Sequence, residues 1–151
     1  MPEKAFDPRA PMAPFDRRTW DLVPELCQVS GPCRPEAVTA AEKELDMTFG
    51  YGLRDCLLAY GAIRRGNVAF LDATGIVRVT SKLRATHGWT AGYAAIRDPD
   101  SGKCAMCDRS DRVYIADLAG GGFKTTNKCV WEYASAELGL DGFVDGEGAP
   151  S

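Results

Sequence analysis

A single histidine, His87, occurs in the 151-residue sequence, and that scarcity removes several chemistries at once. A Ser-His-Asp triad, a site with two histidine metal ligands or a histidine proton relay would each have to be built on one ring. No Gly-x-Ser-x-Gly elbow accompanies it, and its place just ahead of Gly88 and Trp89 reads as the end of a short helix. A long apolar run is missing too. The longest, residues 56–63, is interrupted by Gly61 and falls far short of the ~20 residues a membrane helix requires. Charge of one sign is not in excess: 18 basic against 21 acidic groups leave a net −3, so bulk charge supplies no general attraction to nucleic acid or anionic lipid. Lys4, Arg9, Arg17 and Arg18 are followed by no apolar stretch of the kind a secretory signal needs. A cytoplasmic protein is expected, with its six cysteines as reduced thiols and no structural disulfide.

What is present fits one α+β domain. The 45% hydrophobic and 26% charged content suits a single globular core at this length. Seven of the nine prolines fall within the first 35 residues, and each fixes a backbone angle and removes a donor. Residues 1–18 are therefore expected as a flexible arm, residues 19–140 as the domain, and residues 141–151, rich in glycine and acid, as a loose tail. A helix over 19–29 would carry Trp20, Leu22, Val23 and Leu26 to the core. Pro35 and Glu36 open a helix to about residue 47 with Val38, Ala41 and Leu45 in one stripe. A second helix over 53–60 places Leu53, Cys56, Leu57 and Tyr60 on one side and stops at Gly61.

From Gly66 the period changes to two. Residues 67–72 and 76–80 read as a hairpin around Ala73-Thr74-Gly75, with Ser81 capping a short helix to Thr86. Residues 93–97, 103–107, 112–117 and 128–133 read as further strands. The expected fold is N-terminal helices on a mostly antiparallel, meandering sheet of about five to six strands.

Chemical motifs are few. Cys104-Ala-Met-Cys107 has the gap that lets two sulfurs share a zinc or a redox couple, and Cys27 with Cys33 would have to complete a tetrahedral set. In such a zinc protein the basic stretch of Arg64, Arg65, Arg78, Lys82 and Arg84 would contact nucleic acid. The same cysteines also read as packing thiols, and the reading adopted has no metal, cofactor or catalytic residue. Gly120-Gly121-Gly122 reads as a tight turn. Asp98 with Asp100, and Asp108 with Asp111, read as turn aspartates bonding their own backbone.

Residues 35–61 resemble the opening of the SUKH superfamily, which includes bacterial toxin-immunity proteins and fungal cell-wall-assembly regulators. Val38, Glu42, Leu45, Leu57, Leu58, Tyr60 and Gly61 stand at its motif positions, while Phe49-Gly50 replaces the usual Leu-Pro step and Asp46 a common glycine. Further on, Val113-Tyr-Ile-Ala-Asp117-Leu-Ala-Gly120 is similar to the family's strand into an Asp-x-x-Gly turn, and Val130-Trp-Glu-Tyr133 to its returning strand. The resemblance implies a non-catalytic protein-binding domain, an immunity protein facing a cognate toxin, or a regulatory scaffold of the same fold. It gives Glu42 a structural role, with backbone amides as its expected donors. Were the toxin a nuclease with a basic site, Asp117, Glu132, Glu137 and Asp141 in the acidic final third would face it.

Overall fold

The computed structural model describes residues 17–140; residues 1–16 of the expected arm and the expected tail with Asp141 lie outside the described residues, whereas residues 17 and 18, assigned to the arm, begin the first helix. Five helices and seven short strands follow in the order α1 (Arg17–Leu26), β1 (Gln28–Val29), α2 (Pro35–Leu45), α3 (Tyr51–Ala59), β2 (Ile63–Arg65), β3 (Val68–Phe70), α4 (Ala73–Thr86), β4 (Ala94–Ala95), β5 (Lys103–Cys107), β6 (Arg112–Asp117), β7 (Phe123–Cys129) and α5 (Val130–Glu137), with one 3-10 turn at Gly88–Thr90. The α+β class and the leading helices are as expected. The strands, however, divide between two antiparallel sheets, β1-β2-β3 and β4-β5-β6-β7, where one sheet was expected. No helix among the described residues is long and apolar enough to cross a membrane.

Local chemistry explains the first helices. In α2, Pro35 occupies the first turn where its missing donor costs nothing, Glu36 sits at the positive end and Lys43 near the negative end. Val38, Ala41 and Leu45 are its buried stripe. The chain leaves α2 through Asp46 at φ 53°, in the left-handed region that Asp tolerates better than most residues. Helix α3 ends at Tyr60, and Gly61 follows at φ 72° with its amide on the Cys56 and Leu57 carbonyls. A Cβ there would also collide with the Gly31 carbonyl oxygen, so Gly61 serves both the helix stop and the passage of the β1 loop beside it. Helix α1 is anchored by Trp20, fully buried, whose ring lies 5.0 Å from those of Tyr60 and Trp131. The Tyr60 hydroxyl donates to the Trp20 carbonyl at 2.8 Å.

Two segments overturn the alternation reading. Residues 76–80, expected as a strand, lie inside α4, and Ser81, expected as a cap, is mid-helix. The actual cap is Asp72, whose carboxylate accepts the Gly75 amide at 2.9 Å. Ile76, Val79, Thr80 and Leu83 form the buried stripe, a three- and four-residue spacing that the β-branched run Ile76-Val-Arg-Val-Thr80 masks. Of residues 67–72 only Val68–Phe70 are strand, and their hairpin pairs β2 with β3 across Gly66-Asn67. Likewise Val130-Trp-Glu-Tyr133, expected to return as a strand, opens α5. Its start is closed by a capping box in which Glu132 accepts the Cys129 amide at 3.0 Å. Residues 28–29, assigned to the first helix, are strand.

The four-stranded sheet separates two apolar clusters. Ala94, Ile96, Ala105, Cys107 and Val113 face the main core with α1, α2, α3 and α5. Ala95, Cys104, Met106 and Ala116 face the other way, against Val79 and Leu83 of α4. The Thr80 hydroxyl receives the Ala95 amide at 2.9 Å and ties that helix to β4.

Candidate functional site

Helix α4 covers only part of the outer sheet face. Across that face β5, β6 and β7 are in register as Met106↔Tyr114↔Thr125 and Cys104↔Ala116↔Phe123, so Tyr114 and Phe123 stand on one side beyond the helix. Tyr93, just before β4, completes a three-ring cluster: its centroid is 4.1 Å from Phe123 and 5.7 Å from Tyr114. Trp89 sits on the turn after α4 with its ring 5.2 Å from Phe123 and the His87 ring 6.1 Å away. Tyr93, Tyr114 and Phe123 are half-buried, and Trp89 is 38% exposed. Four aromatic side chains thus meet water together, a composition enriched where proteins bind one another.

Beyond Thr125 the face runs into a polar cleft of about 290 Å³ lined by Ser110, Arg112, Thr125, Asn127, Lys128, Cys129 and Glu132. It lies at the irregularity in the β6/β7 pairing, where Asn127 adopts φ 59°. Asp108 closes the neighbouring turn: its carboxylate accepts the amides of Ser110 and Arg112 and the Tyr114 hydroxyl, the last at 3.3 Å. Burial, and after it the Asp108 carboxylate beside the ring, push the Tyr114 phenol up from its ordinary range.

Asp111 does not bond its own turn as expected. From φ 70° its carboxylate reaches the start of α3, accepting the Leu53 amide at 3.1 Å, while its backbone carbonyl accepts the Val130 amide that opens α5. Gly52 is required there, because a Cβ would run into that carboxylate. Burial pushes the Asp111 carboxyl up to about 6, against the opposing pull of the amides it accepts.

The acidic residues expected at a docking face are spread out and locally engaged. Asp117, at the end of β6, accepts the amides of Ala119 and Gly120 at 3.2 and 3.0 Å, the Asp-x-x-Gly turn that the resemblance implies. The Gly120 amide holds that carboxyl below its ordinary range. Glu132 caps α5, and Glu137 pairs with Arg97 at 2.9 Å. The basic stretch is divided as well. Arg65 donates to the Leu138 carbonyl at 2.7 Å and Arg84 to the Leu45 carbonyl at 2.6 Å. Arg78 lies 3.7 Å from Asp98, and Arg64 is on the hairpin, 3.4 Å from the Gly66 carbonyl.

The Cys104-Ala-Met-Cys107 pair is split by the pleat. Three residues apart on β5, the two sulfurs enter opposite clusters, so they cannot share one metal ion or one disulfide without unpairing the strand. Burial raises Cys104 to about 12 and lifts Cys107 further. Cys27 and Cys33 are half-buried outside β5, and among the described residues no three His, Cys, Asp or Glu side chains group as a metal site. The four cysteines of the zinc alternative are thus not gathered at one point among the described residues.

No family model matches the chain, and no curated protein matches it. The aromatic face escaped the sequence reading because its rings come from three separate segments, the α4–β4 connection, β6 and β7. The signal that could have found it is the alternation in β6, where Tyr114 takes the place of an apolar residue on the face carrying Ala116.

Proposed function

We propose that this protein is a non-catalytic protein-binding domain that docks a partner on the aromatic face of its four-stranded sheet, and that the partner is a toxin domain which it holds inactive. The observation that carries docking is the cluster in which the exposed Trp89 and the half-buried Tyr93, Tyr114 and Phe123 meet beside a polar cleft. The toxin comes from the resemblance of the α2–α3 region to the SUKH superfamily. Glu42 supports that resemblance in its structural role, since it accepts the Phe49 amide at 2.7 Å.

The test is co-expression with the toxin domain encoded beside this chain's gene, read as growth, with the purified pair run by size-exclusion chromatography. Wild type should restore growth and co-elute, whereas Trp89→Ser with Tyr114→Ser should do neither while remaining folded. Unchanged cell death with the wild-type chain rejects the toxin, and a complex indifferent to the double substitution rejects the face.

A further inference from the structure

We infer that β7 receives an extended, acidic segment of the protein partner as an added strand along residues 123–126. This rests on the proposed docking face and deepens it. The strand β7 ends the order β4-β5-β6-β7, so one of its edges carries no neighbouring strand among the described residues. At its far end the edge is closed from within: the Thr125 and Thr126 hydroxyls take the amides of Asn127 and Lys128 at 3.0 and 3.2 Å, and Glu132 takes that of Cys129. What stays open is the stretch beginning at Phe123, directly beside the aromatic cluster. An open edge offers backbone hydrogen bonds to any extended chain, and the side chains around it select which chain.

Selection by charge points to an acidic one. Lys124 and Lys128 are exposed on β7, Arg112 is exposed at the start of β6, and among the described residues none of the three enters an ion pair. Arg112 and Lys128 line the cleft at the end of the open stretch. Two carboxylates of the same region hold backbone instead of these cations: Asp108 accepts two amides and a phenol, and Glu132 accepts the Cys129 amide. Pleating then dictates the incoming pattern. Residues opposite Phe123 and Thr125 fall on the aromatic face and should be apolar, and the residue opposite Lys124 falls on the other face and should be acidic.

The same surface argues against other occupants. A second copy pairing edge to edge would bring Lys124 and Lys128 against their own counterparts. A nucleic acid strand would find rings turned edge to face on Tyr114, with interplanar angles of 66° to 84°, rather than a parallel platform on which bases stack.

The probe is a short synthetic peptide alternating valine and glutamate, labelled for fluorescence anisotropy, beside a valine–lysine counterpart and a single-stranded oligothymidine of similar length. The acidic peptide should bind saturably below about 1 mM, and the basic one should not. Lys124→Glu with Lys128→Glu should weaken it at least about tenfold, while Lys43→Glu on α2 leaves it unchanged, near-ultraviolet circular dichroism showing all variants folded. Absence of saturable binding, indifference to the double reversal, or tighter binding of oligothymidine overturns the inference. So does reversible self-association in sedimentation that the double reversal alters. If the toxin complex survives the double reversal but fails with Trp89→Ser and Tyr114→Ser, the docking face stands and the added strand falls. If wild type forms no complex, the docking reading itself falls.

Discussion

Glu42 and Phe49 are joined by a 2.7 Å hydrogen bond in which the carboxylate accepts the backbone amide, and the other carboxylate oxygen accepts Arg54 at 2.9 Å. One side chain on α2 thereby holds both the connection and the first turn of α3. Glu42→Ala leaves the amide of the buried Phe49 without its acceptor and should destabilise the fold by about 1–3 kcal/mol. Glu42→Gln keeps an acceptor and should cost about half as much. Urea unfolding midpoints at unchanged slope check both.

Asp111 should give the protein an inverted acid response. Its carboxyl is raised from an ordinary 3.8 to about 6 by burial, so between those values the folded chain holds a proton that the unfolded chain has released. Stability contributed by this group is therefore greatest below pH 4 and falls as pH rises through 6, by at most about 3 kcal/mol. Asp111→Asn keeps an acceptor for the Leu53 amide and removes the titration. The difference in unfolding free energy between variant and wild type should grow in favour of the variant from pH 4 to pH 7, and a constant difference would show an unshifted carboxyl.

The thiols should divide by burial. Cys56, Cys104 and Cys107 are buried, whereas Cys27, Cys33 and Cys129 are half-buried. A thiol reagent at neutral pH should modify the second group slowly and the first only after denaturant is added. Mass spectrometry of the labelled peptides reads the order, and early modification of Cys104 would contradict its place in the α4 cluster.

Trp89 is the one accessible indole: Trp20 is fully buried and Trp131 is 2% exposed. Iodide should quench only the Trp89 share of the fluorescence, and Trp89→Phe should abolish quenching at a stability change below about 1 kcal/mol. Trp20→Ala, which empties the junction with Tyr60 and Trp131, should cost about 3–5 kcal/mol.

The early helices and the β5–β6 ladder were legible because their signals are local: Pro35 with Glu36, the stripe Val38-Ala41-Leu45, the stop at Gly61 and the alternation over 103–107 and 112–117. Where the sequence misled, two periods coexist. Ile76-Val-Arg-Val-Thr80 alternates like a strand, yet Ile76, Val79, Thr80 and Leu83 also share a helix face, and the Asp72 cap decides between them. Val130-Trp-Glu-Tyr133 is equally ambiguous, and its helix is capped by a Cys129–Glu132 box that begins with an uncommon cap residue. The Asp111 bridge to Leu53 spans 58 positions and leaves no trace in either neighbourhood. The aromatic face required the cross-strand register, which a one-residue slip would have inverted.

Strand β5 sends Cys104 and Met106 into one cluster and Ala105 and Cys107 into the other. Neither cluster can loosen without removing the wall of its neighbour, so melting α4 away from the sheet would also strip support from α3 and α5. Heat should take the described domain apart in a single cooperative step, with calorimetric and van't Hoff enthalpies in agreement.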